Sequence, residues 1–94
     1  MEADAPATLS KPRLPRGVRL KHDETRGEWL LLAPERVIKP NSIALAILKR
    51  CDGSATIEAI VDGLTQEFSA DRVRVEADVR ALLAELAQKR LVDL

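Results

Sequence analysis

LLLAPERVIKPN, residues 30–41, decides how this chain folds. Leu30, Leu31 and Leu32 end an apolar run that starts at Trp29. Arg36, Val37, Ile38 and Lys39 form a second short extended piece, bracketed by Pro34 and Pro40. A proline lacks the backbone donor that a strand ladder uses, so the two prolines limit what the piece can pair with. The strands are read from Val18 onward into this stretch, and everything after Pro40 reads as helix.

Upstream, Val18-Arg19-Leu20-Lys21-His22 alternates apolar and polar residues with period two, the mark of a half-buried strand. Asp23 to Gly27 is polar and ends in glycine, a turn between two antiparallel strands. Trp29–Leu32 is apolar enough to be covered on both faces at its centre. Ala33-Pro34-Glu35 is a tight connection to the third strand, Arg36–Lys39.

Downstream, Asn41 or Ser42 offers a side-chain acceptor to the free amides of a first helical turn. Ile43, Ala44, Ile47, Leu48 and Cys51 then recur at helical spacing, and Cys51-Asp52-Gly53 stops the helix. Thr56 opens a second helix with one apolar stripe: Ile57, Ile60, Val61, Leu64 and Phe68. Ser69 or Asp71 opens a third, carrying Val75, Val79, Leu82, Leu83 and Leu86. Lys89 and Arg90 are expected in its last turn, and Leu91-Val92 is expected to close back on the core. Strands segregated from helices argue an α+β fold: a small three-stranded antiparallel sheet followed by three helices, the winged-helix-like arrangement.

The chain has 94 residues, enough for one small domain, with 15 basic and 15 acidic side chains. Residues 1–16, with Pro6, Pro12 and Pro15, read as a tail or linker, and residues 17–94 as the domain. The N-terminal stretch has no apolar run for a secretory signal, and no segment approaches the length of a membrane helix. A single cysteine, Cys51, excludes an intramolecular disulfide. The expectation is a cytoplasmic protein that meets no membrane and no nucleic acid.

Catalytic chemistry is not expected. His22 is the one histidine and sits on an alternating strand. Cys51 lacks a neighbouring base and reads as a small buried hydrophobe. No cysteine cluster, phosphate-cradling glycine loop or HExxH pattern occurs, so no metal or cofactor is expected. Trp29 reads as a core anchor. A winged-helix DNA binder is the alternative. Against it, the second helix carries Glu58, Asp62 and Glu67 with no basic residue, and phosphates would be repelled there. Glu76 and Arg80 are spaced as a surface ion pair.

In combination, several pieces resemble the PqqD family, the peptide chaperones of pyrroloquinoline quinone biosynthesis. They are Arg26-Gly27-Glu28-Trp29, the Pro34-Glu35-Arg36 turn, Asn41 opening a helix, Cys51-Asp52-Gly53, Thr56-Ile57-Glu58-Ala59-Ile60, and Leu82-Leu83-Ala84-Glu85-Leu86 followed by Leu91-Val92. Arg90 departs from the family pattern, which usually carries glycine there. The resemblance implies a non-enzymatic winged-helix-like recognition domain. Such a domain binds the ribosomal precursor peptide PqqA and presents it to the radical SAM enzyme PqqE. It also implies that the Pro-rich tail is similar to a linker, since some members are fused to another enzyme of the pathway. The guest peptide would add as a strand beside Arg36–Lys39 and lie against the third helix. The expected peptide-binding residues are Glu35, Arg36, Val37, Ile38 and Lys39 with Arg72, Val75, Val79 and Leu82. Of these, Val79 and Leu82 are expected to be mostly core. Arg36, Lys39, Arg72 and Arg74 are candidates to pair with peptide carboxylates.

Overall fold

The structure is a computed structural model, and it describes residues 10–94. Three strands, β1 (Arg19–Asp23), β2 (Glu28–Ala33) and β3 (Arg36–Ile38), precede three helices, α1 (Ser42–Leu48), α2 (Ile57–Phe68) and α3 (Arg72–Gln88). The strands form one antiparallel sheet in the order β1-β2-β3, the expected α+β arrangement. Asp23 turns the first hairpin: its carboxylate accepts from the Thr25 and Arg26 amides, and Gly27 takes a positive φ of 67°. The register sets Leu20 opposite Leu31 and Leu31 opposite Ile38. Residues directly opposite share a face, so these three side chains form one cross-strand row turned to the helices.

The helices begin where capping side chains place them. Asn41 Oδ1 accepts from the Ala44 amide at 2.8 Å, Thr56 Oγ1 from the Ala59 amide at 3.1 Å, and Asp71 Oδ1 from the Val73 amide at 3.2 Å. Each occupies an orphan donor of a first turn. Helix α1 stops at Leu48, three residues before the expected Cys51. The amides of Arg50 and Cys51 reach the carbonyls of Ile47 and Leu48, so the chain tightens into i→i−3 bonds there. The core joins Leu31 of the sheet to Ile47, Leu48 and Cys51, to the stripe Ile57, Ile60, Val61 and Leu64, and to Val79, Leu83 and Leu86. Leu91 and Val92 close onto it, as the sequence suggests.

Two expectations change. Strand β2 is covered on one face only: Leu31 is fully buried, whereas Leu30 and Leu32 are half-exposed and not packed on the core. The apolar run reads as two-sided, but the helices all follow the sheet and pack on a single side of it. The second change concerns the expected tail. Residues 1–9 lie outside the described residues. Pro12, however, is buried, and its carbonyl accepts from the Gly53 amide at 3.0 Å. Arg13 exchanges two backbone hydrogen bonds with Asp93, at 3.0 and 2.8 Å. Ser10–Leu14 is thus held on the fold, ahead of the expected boundary at residue 17. Gly53 makes this approach possible: its φ is 83°, and a Cβ there would sit 3.4 Å from that of Arg13.

Candidate functional site: an open strand edge and a helix-lined cavity

Strand β3 is an edge. On one side it pairs with β2, and its other side meets no strand of the described residues. Pro34 and Glu35 form the two-residue turn between the paired residues Ala33 and Arg36. Such a turn closes on a hydrogen-bonded pair, and pairs alternate along an antiparallel ladder. Leu32 and Val37 therefore form a non-hydrogen-bonded pair, with the N–H and C=O of Val37 aimed at the open edge. Ile38 faces the core, while Arg36 and Val37 are exposed, Val37 at 67%. Glu35 stands exposed in the turn, and Lys39 Nζ reaches Glu28 Oε1 at 3.1 Å.

Beyond β3 the chain enters α1, whose Ile43 and Ile47 form one wall of a cavity of about 270 Å³. Leu64 and Phe68 of α2 and Val75 and Val79 of α3 form the others. Arg74 and Asp78 supply the charged groups of the lining. Ile43 and Phe68 are more than half exposed at their ends, so the cavity has apolar lips. Apolar walls with a few polar groups are the usual chemistry of a pocket that takes an apolar side chain. Phe68 sits at the lip because α2 ends there: Ser69 takes a left-handed φ of 49° and its amide turns back to Gln66 and Thr65.

Among the expected residues, Val75 and Val79 line this cavity, Val75 half-buried and Val79 buried. No residue of β3 lines it. Leu82 is half-buried against the core. Arg72 is committed elsewhere: its guanidinium donates to Asp62 Oδ1 at 2.8 Å and to Glu76 Oε1 at 3.3 Å, and these partners hold its pKa above the ordinary value. Ile43, Ile47, Leu64 and Phe68 escape the sequence reading because they obey the helical stripe, and a stripe residue looks the same whether it fills core or lines a mouth.

The remaining chemistry is structural. Burial, with the Asp52 charge adding, pushes the Cys51 thiol up to about 11, and its Sγ–H donates to the Ile47 carbonyl at 3.3 Å. A thiol held protonated is no nucleophile at neutral pH. Trp29 is half-buried at the sheet's end, with the His22 ring tilted against it at 5.0 Å between centroids and Lys49 Nζ 4.7 Å from its ring centroid. The acids of α2 receive arginines from its neighbours: Glu67 takes Arg50 at 2.6 Å and Asp62 takes Arg72. A helix whose outer charges are all acidic, with Glu58 unpaired among the described residues, offers no groove-reading face to DNA. Among the described residues no cluster of His, Cys, Asp and Glu could hold a metal ion.

Fold and site together define a small winged-helix-like recognition domain with an open, proline-bounded edge strand. Residues 28–92 match the family model described as coenzyme PQQ synthesis protein D (PqqD). The chain is 50% identical over 80 residues to a PqqA binding protein of Rhodopseudomonas palustris, covering 85% of this chain and 78% of that one. It is 51% identical over 85 residues to a PqqA binding protein of Xanthomonas oryzae, covering 90% and 92%. The solution structure of the PqqD truncation of Methylobacterium extorquens PqqCD, a stand-alone RiPP recognition element, superimposes with a TM-score of 0.74 at 48% identity, over 88% of each chain. The crystal structure of PqqD from Xanthomonas campestris gives 0.60 at 42% identity, over 100% of this chain and 99% of that one. The chain belongs to the PqqD family.

Proposed function

We propose that this protein is the peptide chaperone of pyrroloquinoline quinone biosynthesis, binding the precursor peptide PqqA and presenting it to the radical SAM enzyme PqqE. The observation that carries the reading is the open edge of β3, with the backbone groups of Val37 turned outward. A guest strand adds there by backbone pairing, while its apolar side chains reach the cavity between Ile43, Phe68 and Val75. Glu35, Arg36, Val37, Ile38 and Lys39 form the pairing edge. Val75 and Val79 receive the anchors, with Leu82 and Arg72 supporting the same helix. Arg36 and Arg74 are the cations that peptide carboxylates meet, because Arg72 is tied to Asp62 and Glu76.

The magnitudes are consistent with a reversible chaperone. Two or three buried apolar anchors contribute about 1.5–3 kcal/mol each. A few backbone hydrogen bonds add about 0.5–1.5 kcal/mol each. Ordering a flexible peptide costs about 2–5 kcal/mol, before the general cost of association. Only the most favourable ends of these ranges approach micromolar affinity, and picomolar binding is out of reach.

The peptide is made on ribosomes, so its chaperone works in the cytoplasm. A junction to another enzyme of the pathway, of the kind that the name PqqCD describes for the Methylobacterium extorquens relative, would enter through the segment before Ser10. The test is a titration of isotope-labelled protein with synthetic PqqA, following backbone amide shifts. Shifts concentrated at residues 35–39 and along α3 are expected. Val37→Pro, which removes the outward donor, is expected to weaken binding about tenfold or more. A folded Val37→Pro variant with unchanged affinity would falsify strand addition on this edge.

A further inference from the structure

The face of the sheet turned away from the helices is apolar at its centre and cationic around it. The register sets Arg19, Leu32 and Val37 in one row and Lys21 and Leu30 in the next. Lys39 joins them through its ion pair with Glu28. A solvated sheet face is ordinarily polar, yet here Leu30, Leu32 and Val37 form its middle. Two acids of this face are spoken for, while Glu24 stands exposed beside Lys21 in the turn. The Asp23 carboxylate is turned into its own loop, and Glu28 takes Lys39. Arg19 and Lys21 are exposed and make no ion pair among the described residues. The charge is divided along the chain. Residues 10–40 hold eight Lys and Arg against four Asp and Glu, whereas residues 41–94 hold seven against nine.

We propose that this sheet face docks an acidic protein surface on the enzyme that modifies the bound peptide, a surface with an apolar side chain ringed by carboxylates. The inference deepens the peptide-presentation reading and rests on it. A guest strand beside Val37 extends the sheet, and every second guest side chain emerges on this same face. A partner lying across the face touches Leu30, Leu32, Val37 and the outward guest side chains together, so it recognises the loaded sheet as one surface. A second copy of this chain fits poorly, because a two-fold contact would set Arg19 and Lys21 against their own kind. Nucleic acid would use the cations and leave the apolar centre unmatched. Charge complementarity of this sort steers encounter and weakens with salt.

The experiment compares the wild type with the Arg19→Glu, Lys21→Glu double variant, and uses the milder Arg19→Ala, Lys21→Ala variant as a second measure. The probes are synthetic PqqA, purified PqqE and a short DNA duplex, and amide spectra confirm the fold. The charge-reversed variant is expected to keep peptide affinity within about twofold and to lose enzyme affinity by about tenfold or more, the alanine variant losing less. Enzyme binding by the wild type is expected to weaken as salt rises. Unchanged enzyme affinity in both variants would overturn the proposal. So would a wild type that binds peptide but not enzyme, or one that binds duplex through Arg19 and Lys21 and ignores the enzyme. A wild type that takes up no peptide would instead remove the presentation reading underneath.

Discussion

The C-terminal end of α3 and the edge of β3 are both places where regular structure stops, and they stop differently. At the end of α3 the backbone is closed. The Arg90 amide returns to the Ala87 carbonyl at 3.0 Å and the Leu91 amide to the Leu86 carbonyl at 2.8 Å, the paired bonds of a Schellman turn. Leu86 and Leu91 are buried in one core beneath it. At β3 the ladder ends with the groups of Val37 unpaired and its side chain in solvent. The chain satisfies its own backbone where the core depends on it. At β3 it leaves backbone open over a strand three residues long, too short to seed extended pairing with other copies.

Substitutions at the two places should therefore separate stability from binding. The largest effect is expected from Leu91→Ala, which empties a core position and costs about 2–5 kcal/mol of unfolding free energy in urea titrations. A loss of well under 1 kcal/mol would mean that the closure is ornamental and the contrast false. Asn41→Ala removes the cap where the edge strand hands over to α1, and about 1 kcal/mol of stability should go with it. The same titrations check this, and no loss would show that the junction is held otherwise. Arg90→Gly should act in the opposite sense. Arg90 has a φ of 61°, a left-handed conformation that suits glycine. The swap is expected to add about 0.5–1 kcal/mol and leave peptide affinity alone. Destabilisation would show that the Arg90 side chain matters more than its backbone strain. The smallest change in stability belongs to Val37→Ala, within about 0.5 kcal/mol, because the side chain is in water. A larger loss in thermal melts would make β3 part of the stable unit and blur the distinction.

Local features were readable from the residues. The alternation at 18–22, the stripe from Ile57 to Phe68 and the capping residues Asn41, Thr56 and Asp71 mark strands and helices, because periodicity and caps are properties of neighbouring residues. The edge status of β3 also follows from its prolines. Tertiary closure is not local. Pro12 and its neighbours look like linker composition, and only the fold shows that Gly53 and Asp93 supply their backbone partners. The one-sided cover of β2 depends on where all three helices go. Residues 75, 79 and 82 share a stripe, yet Val79 is buried while Val75 and Leu82 are half-exposed, a matter of helix rotation. The commitment of Arg72 to Asp62 spans two helices and leaves no trace at short spacing.

The backbone pairing of Arg13 with Asp93 places the two ends of the described chain side by side. Termini so close allow the order of the polypeptide to be rewritten without moving its atoms. A short linker from Leu94 to Ser10, with new ends opened in the exposed turn Glu24–Gly27, would give a circular permutant in which β2, β3 and the helices are synthesised first and β1 last.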